Sequence, residues 1–354
     1  MQTLRINRQR HRRRGVTLTE ILVTITVGLV AVWLFVAYTV HRSRPHGRRL
    51  ECERNLRQVA LAAQAHASSN RGQIPDLTRR HGVPGTAGEL VYPWVVDLLP
   101  HLDSAAVFRT IQSSTEPPFS VNCPVPGLKI LKCPNDVSRS SQDGGLSYVA
   151  NAGYMREDDW GANSAHHGLR IDWDRNGSLD DVDLDTARAT GLFWRRDKHP
   201  AINGDGGQPV TFDEVAEGDG LTLTMMFSEN LEATNWVSSN TSEIAFGIFV
   251  TVGSSDQPDP AKFTWPPTQA PSELLTFDTS HFQLANAKGS RDATPGSRVG
   301  RAPRPSSPHA DLVNVAFVDG RVEGINLQID KRIWAAMLTP NGQRRGQPAT
   351  WNYY

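Results

Sequence analysis

The stretch "DWDRNGSLDDVD", residues 172–183, holds the densest run of oxygen ligands in the chain. Asp172, Asp174 and Asn176 fall at positions one, three and five of a twelve-residue calcium loop, with Gly177 at the sharply turned sixth. Ser178 would offer its carbonyl at seven, Asp180 would act at nine, and Asp183 would close the loop at twelve. Aspartate is shorter than the usual closing glutamate, so bidentate closure demands a closer approach. Calcium is the cofactor this pattern suggests, and its work would be to stiffen an insertion. His166 and His167 stand nearby, but adjacent histidines point in different directions and are not assigned to a metal.

Three cysteines, Cys52, Cys123 and Cys133, form no Cys-x-x-Cys pair. Cys123 and Cys133 bracket the short loop "CPVPGLKILKC", which makes them the favoured bridge in an oxidising compartment. A Cys52–Cys133 bridge and three reduced, buried thiols are the alternatives. In "HADLVNVAFVDGRVEGIN", Val313, Val315 and Phe317 alternate with other residues, and Asp319-Gly320 then signals a hairpin turn. His309 sits at the far end of that strand, roughly 30 Å from Asp319 if the chain is extended. The two are therefore not read as a catalytic pair. Asp319 takes a structural role, and His309 is read as a surface or interface residue. With no Gly-x-Ser-x-Gly elbow, phosphate loop, zinc-protease motif or dinucleotide fingerprint, no catalytic residue is assigned and no enzyme is expected.

These residues need elements to hold them. Leu56, Val59, Ala60, Ala63 and Ala67 recur at helical spacing in "ECERNLRQVALAAQAHASSN", an apolar stripe suited to packing on a sheet. "LTLTMMFSEN" and "IAFGIFVTVG" read as strands. "GELVYPWVVDLLPHLD" reads as a short helix packing through Trp94, Val95, Leu98 and Leu99. "ANAKGSRDATPGSRVGRAPRPSSP" reads as a mobile surface loop, and "QRRGQPATWNYY" as a weakly packed end. The class is α+β: a membrane-spanning helix, then an amphipathic helix packed on an antiparallel, β-rich soluble domain.

Upstream, Ile21 to Val40 carry no charge and, as a helix, would span roughly 30 Å, the thickness of a hydrocarbon core. Arginines flank both ends, more densely at Arg5, Arg8, Arg10, Arg12, Arg13 and Arg14, which favours a cytoplasmic N-terminus. Glu20 lies at the entrance of this segment, where an unpaired carboxylate is costly. Pro45 and Gly47 predict a kink or break after it. The formal net charge of zero argues against a nucleic-acid partner.

"RRRG-VTLTE-ILV" resembles the N-terminus of type IV prepilins and type II secretion pseudopilins. The resemblance implies cleavage after Gly15 by a prepilin peptidase, methylation of the new terminus Val16, and an assembly role for Glu20. In such filaments the fifth-place glutamate neutralises the terminal amine of a neighbouring subunit. Val16 departs from the commoner phenylalanine or methionine. The spacing of His309, nine residues, then Asp319 and Gly320 is similar to the H-X9-DG signature of a large bacterial family of prepilin-type proteins. "CERNLRQVALA", "WVVDLLPHLD", "LKCPNDVSRS", "SYVANAGY" and "LTMMFSEN" agree with that family in order. Ala310, Asp311 and Leu312 replace its usual proline and glycines.

The domain expectation is a basic leader (1–15), an assembly helix (16–41), a kinked continuation (42–70), a pilin-like domain (71–330) carrying the calcium loop, and a C-terminal tail (331–354). The resemblance implies a single-pass bacterial inner-membrane protein, its N-terminus cytoplasmic before processing and its soluble domain in the periplasm or at the cell surface. Its partners would be the prepilin peptidase and methylase, other pilin-like subunits and the inner membrane. Its size suits a minor component of a pseudopilus or type IV pilus-like assembly. The alternative is an envelope-displayed module that binds a polysaccharide or protein and uses the N-terminus only for export. Trp160, Trp173, Trp265 and Trp351 would then suit sugar stacking.

Overall fold

The computed structural model describes residues 17–82, 89–120, 123–136, 144–155, 178, 180–196, 209–231, 233–249, 305–309, 312–326, 329 and 331–342. The chain divides into two compact units, Met1–Gly47 and Arg48–Tyr354. Helix α1 runs from Leu18 to Ser69 without interruption. The break expected at Pro45 and Gly47 is not there: a proline removes one N–H, and the bonds on either side suffice to carry the helix through. The division between units falls at Gly47 instead.

In the second unit, α1 presents an inner stripe of Cys52, Leu56, Val59, Ala60, Ala63 and Ala67, all buried, which bears out the helical periodicity. It ends in a Schellman turn. Arg71 takes φ 56°, and the Gly72 N–H donates to the Ala67 carbonyl across 2.8 Å, satisfying an end-of-helix acceptor. A two-stranded antiparallel ribbon follows, β1 (Thr78–Gly82) with β2 (Glu89–Pro93). Then come α2 (Trp94–Leu98) and α3 (Ala105–Ser113). Trp94, Val95, Leu98 and Leu99 are buried as expected.

The main sheet has five strands in the order β5-β3-β4-β6-β7: β3 (Tyr148–Met155), β4 (Met225–Glu229), β5 (Ala245–Phe249), β6 (Leu312–Phe317) and β7 (Val322–Asn326). The fold is α+β. The sheet is mixed rather than wholly antiparallel, because β3 and β5 run parallel while the other pairs alternate. The predicted hairpin is present. Gly320 takes φ 84°, the Asp319 side chain accepts from the Arg321 N–H, and β6 returns as β7. All of β6 after Leu312 is buried, so its alternating apolar residues do not mark one wet face; both faces are covered. On α1, Gln64 donates to the Val318 carbonyl at 2.7 Å, fixing the helix against this hairpin.

A β-bulge lies between Asn151 and Gly153 of β3. The Asn151 amide donates to the carbonyls of Met225 and Leu338, at 2.6 and 2.7 Å, and its oxygen accepts from the Gly153 N–H. Leu338 ends α7 (Lys331–Leu338), the last helix among the described residues, preceded in chain order by α4 (Asp181–Arg188), α5 (Phe212–Glu217) and α6 (Thr241–Ile244). Trp334, Ala335, Ala336, Met337 and Leu338 are buried. Residues 334–340 thus belong to the core and not to a tail. Most of the stretch expected as a surface loop, and all of residues 343–354, lie outside the described residues.

Candidate functional site

The first unit contains the head of α1. Leu18–Phe35 have a mean hydropathy of 2.2 and bury none of that surface within the chain. This helix is long and apolar enough to cross a membrane, the form of either a retained anchor or an export signal. Its first turn is closed by a capping box. Glu20 Oε2 accepts from the backbone N–H and the hydroxyl of Thr17 at 2.9 and 3.0 Å, and the Glu20 N–H donates back to Thr17 Oγ1 at 3.4 Å. Threonine three residues before glutamate produces this locally, and it turns the carboxylate toward the start of the helix. Gly15 and Val16 lie outside the described residues.

The second unit brings four reactive side chains together. Cys52 from α1 and Cys133 are joined in a disulfide across 81 residues of sequence, with Cα atoms 4.9 Å apart. This corrects the expected Cys123–Cys133 bridge; Cys123 is a free, buried thiol. Proximity along the loop favoured Cys123, but the inward stripe of α1 aims Cys52 at the 129–136 segment. Asn55, one turn further along α1, donates to the Lys132 carbonyl and holds that segment down.

His309 is buried beside this bridge, which corrects its reading as a surface or interface residue. Nε2 lies 3.6 Å from Cys133 Sγ and 3.2 Å from Glu229 Oε1. Asn135 approaches Nδ1 at 3.1 Å; with its amide donating there, the ring hydrogen sits on Nε2 and is directed at Glu229. Glu229, the last residue of β4, also accepts from Ser307 Oγ at 2.6 Å and from the backbone and side-chain amides of Asn314, both at 3.1 Å. A buried carboxylate is tolerated because its lone pairs are filled in this way. One ligand atom from each of Cys52, Cys133, Glu229 and His309 lies within 4.8 Å of the others. Glu229, Asn135 and Asn314 were missed as site residues. Their only advance signal was that "LTMMFSEN" and "LKCPNDVSRS" belonged to the same set of stretches as His309. As expected, β6 separates His309 from Asp319, which serves the turn.

Of the calcium loop, Asp172, Asp174 and Asn176 lie outside the described residues. Asp180 and Asp183 cap α4 reciprocally: the Asp183 N–H donates to Asp180 Oδ1 at 3.4 Å, and the Asp180 N–H to Asp183 Oδ2 at 3.1 Å. The four tryptophans considered for sugar stacking also lie outside the described residues.

A second charged cluster sits where the chain leaves α1. Arg196 Nη1 is 3.7 Å from Asp76 Oδ2, and Arg79 bonds Asp97. Burial pushes the Asp76 carboxyl up from 3.8 to about 7, with the Asp97 charge adding to it and Arg196 and Arg79 opposing. Burial likewise lowers the neighbouring His66. The folded chain therefore holds a proton on Asp76 that the unfolded chain has lost. This contribution to stability is complete below 3.8 and disappears as pH rises through about 7. Asp76→Asn removes the ionised form. Well above pH 7 it is expected to stabilise the chain by about 4 kcal/mol, and below the ordinary carboxylate pKa to change little. Chemical denaturation of parent and variant across that window measures the difference.

A protein-family model described as "Protein of unknown function (DUF1559)" matches residues 41–332, and so takes in the cysteine bridge, Glu229, His309 and the Asp319-Gly320 turn. No curated protein and no solved structure matches the chain.

Proposed function

We propose that this chain, which belongs to the DUF1559 family, is a non-enzymatic prepilin-type subunit anchored in the inner membrane and joined to other pilin-like chains through α1. The observation that carries the reading is the head of that helix. A basic leader ends at Gly15, Glu20 follows in fifth place after it, and the apolar surface from Leu18 to Phe35 has no cover within its own chain. Such a surface needs lipid or other helices around it. Cleavage after Gly15 would leave the Val16 amine close in sequence to a carboxylate that already faces the helix start. In an apolar bundle, an amine and a carboxylate from adjacent subunits attract strongly, and a displaced register leaves both unpaired. Glu20 thus sets register. The acidic loop at 172–183 is read, within the same proposal, as a calcium loop that stiffens the soluble domain.

Intact-mass measurement of membrane-extracted protein, with and without the prepilin peptidase, tests the processing step. Loss of residues 1–15 and gain of one methyl group are expected only with the peptidase. Glu20→Ala is expected to be cleaved normally yet to lose cross-linking to other pilin-like subunits. An uncut N-terminus would overturn the reading. Normal cleavage with undiminished cross-linking of the variant would leave the N-terminus as an export and display device.

A further inference from the structure

The separations around His309 are those of a metal centre. Zinc takes sulfur at about 2.3 Å and imidazole nitrogen or carboxylate oxygen at about 2.0–2.2 Å, in a tetrahedron. Its ligand edges are then about 3.6 Å for nitrogen to sulfur, about 3.3 Å for nitrogen to oxygen and about 3.8 Å for sulfur to sulfur. Nε2 of His309 stands 3.6 Å from Cys133 Sγ and 3.2 Å from Glu229 Oε1. These two edges already have tetrahedral length, and all four ligand atoms fall within 4.8 Å of one another. The sulfur–sulfur edge opens to that length only when the bridge is reduced.

We propose that in its dithiol state this cluster is a structural zinc site, with Cys52, Cys133, His309 and Glu229 as its four ligands. Two thiolates, an imidazole and a carboxylate are a donor set suited to zinc in preference to the oxygen-seeking calcium or magnesium. Every ligand is buried, and four protein ligands leave no open position, so the centre holds the fold and does not turn over substrate. A second shell is present. Asn135 already touches Nδ1, and turning its amide presents the oxygen to an Nδ1–H, freeing Nε2 for the metal. Ser307 and Asn314 keep the other Glu229 contacts and hold its carboxylate in place. Asn314 Oδ1, beside this carboxylate, is buried without a hydrogen-bond partner, a sign that the polar groups here are not fully matched in the bridged state.

Two-electron reduction by an external dithiol breaks the sulfur–sulfur bond. Zinc then displaces one proton from each thiol into water, while the His309 proton moves from Nε2 to Nδ1. Two zinc–sulfur bonds, one zinc–nitrogen bond and one zinc–oxygen bond form. Two-electron oxidation by an external disulfide, which leaves as the dithiol, re-forms the bridge and releases the metal as Zn²⁺, so disulfide and zinc are alternative clasps on the same four residues.

The test is a cobalt(II) titration of the full-length chain in detergent, reduced with a phosphine and held without oxygen, followed by addition of zinc. One cobalt per chain is expected, with a sulfur-to-cobalt charge-transfer band and the strong visible bands of a tetrahedral ion, both erased by zinc. The bridged chain should show neither. Asn135→Leu should keep the sulfur band and weaken cobalt binding about 10- to 100-fold. Cys123→Ser should behave as the parent. A reduced parent without the tetrahedral spectrum overturns the proposal, as does a spectrum that survives in the bridged chain or is lost with Cys123. Undiminished binding by Asn135→Leu would remove His309 from the ligand set, and the proposal with it.

Discussion

Gly153→Ala is expected to cost about 4 kcal/mol or more, enough to leave a large share of the chain unfolded. The glycine sits at the β3 bulge with φ 69°, where an L side chain adds about 1–2 kcal/mol of strain. Space is the larger problem. A Cβ there would lie 2.2 Å from the Thr190 carbonyl oxygen and 2.4 Å from Gly191 Cα, backbone atoms that cannot rotate away. Gly191 faces the same constraint from the other side, 2.8 Å from the Ala152 oxygen. The two glycines let β3 and the 190–193 segment touch, so that the Leu192 and Phe193 N–H groups reach the Asn151 carbonyl. Separating them also strains the Asn151 bonds that tie β4 and α7 together, so overpacking here exceeds its usual cost of about 1–3 kcal/mol. Gly220→Ala is the control. It has φ 96° but nothing within 4 Å of the added methyl, so it should cost only the backbone term. Urea midpoints for the two variants in detergent separate the contributions; equal losses would show that the contact at Thr190 yields.

Removing the bridge with Cys52→Ala and Cys133→Ala should lower stability by about 4 kcal/mol, the cost expected when the unfolded chain regains the freedom of a loop of this length. The long loop makes this bridge worth more than one between Cys123 and Cys133 would have been. Thermal midpoints with and without reductant are the measurement. The parent and Cys123→Ala should both lose stability on reduction, and the double variant should not respond. A response that follows Cys123 would contradict the pairing. Zinc added to the reduced parent provides a further check, since a metal bound by the folded state alone restores part of the midpoint.

Much of this architecture was legible where the signal was local. The stripe from Leu56 to Ala67 announced which face of α1 is buried, and Asp319-Gly320 announced the hairpin, because side-chain period and turn chemistry act over a few residues. The Thr17–Glu20 capping box is just as local, within four residues, yet it went unread because Glu20 was weighed only as a charge at the entrance of an apolar segment. The candidate site was another matter. His309 meets Glu229 across 80 residues and Asn135 across 174, and no short-range pattern encodes such pairings. The cysteine reading failed for the same reason: a short intervening loop outweighed a partner on a helix far upstream. Parallel pairing of β3 with β5 and the burial of α7 are likewise decided by packing partners distant in sequence.

The strand order carries a consequence for how the chain comes into being. β4 is flanked by β3, already made, and by β6, which begins at Leu312. α7, whose last carbonyl meets Asn151, is later still. The ribosome therefore delivers the inner stripe of α1, Cys52 and the first strands long before the sheet that covers them can close. Contacts of such long range form slowly. Until the C-terminal pieces emerge, the chain exposes the apolar residues on which it would aggregate. A sheet that closes this late leaves the chain open until synthesis is nearly done, and loss of α7 should be felt as a failure to close the sheet, far from where the truncation falls.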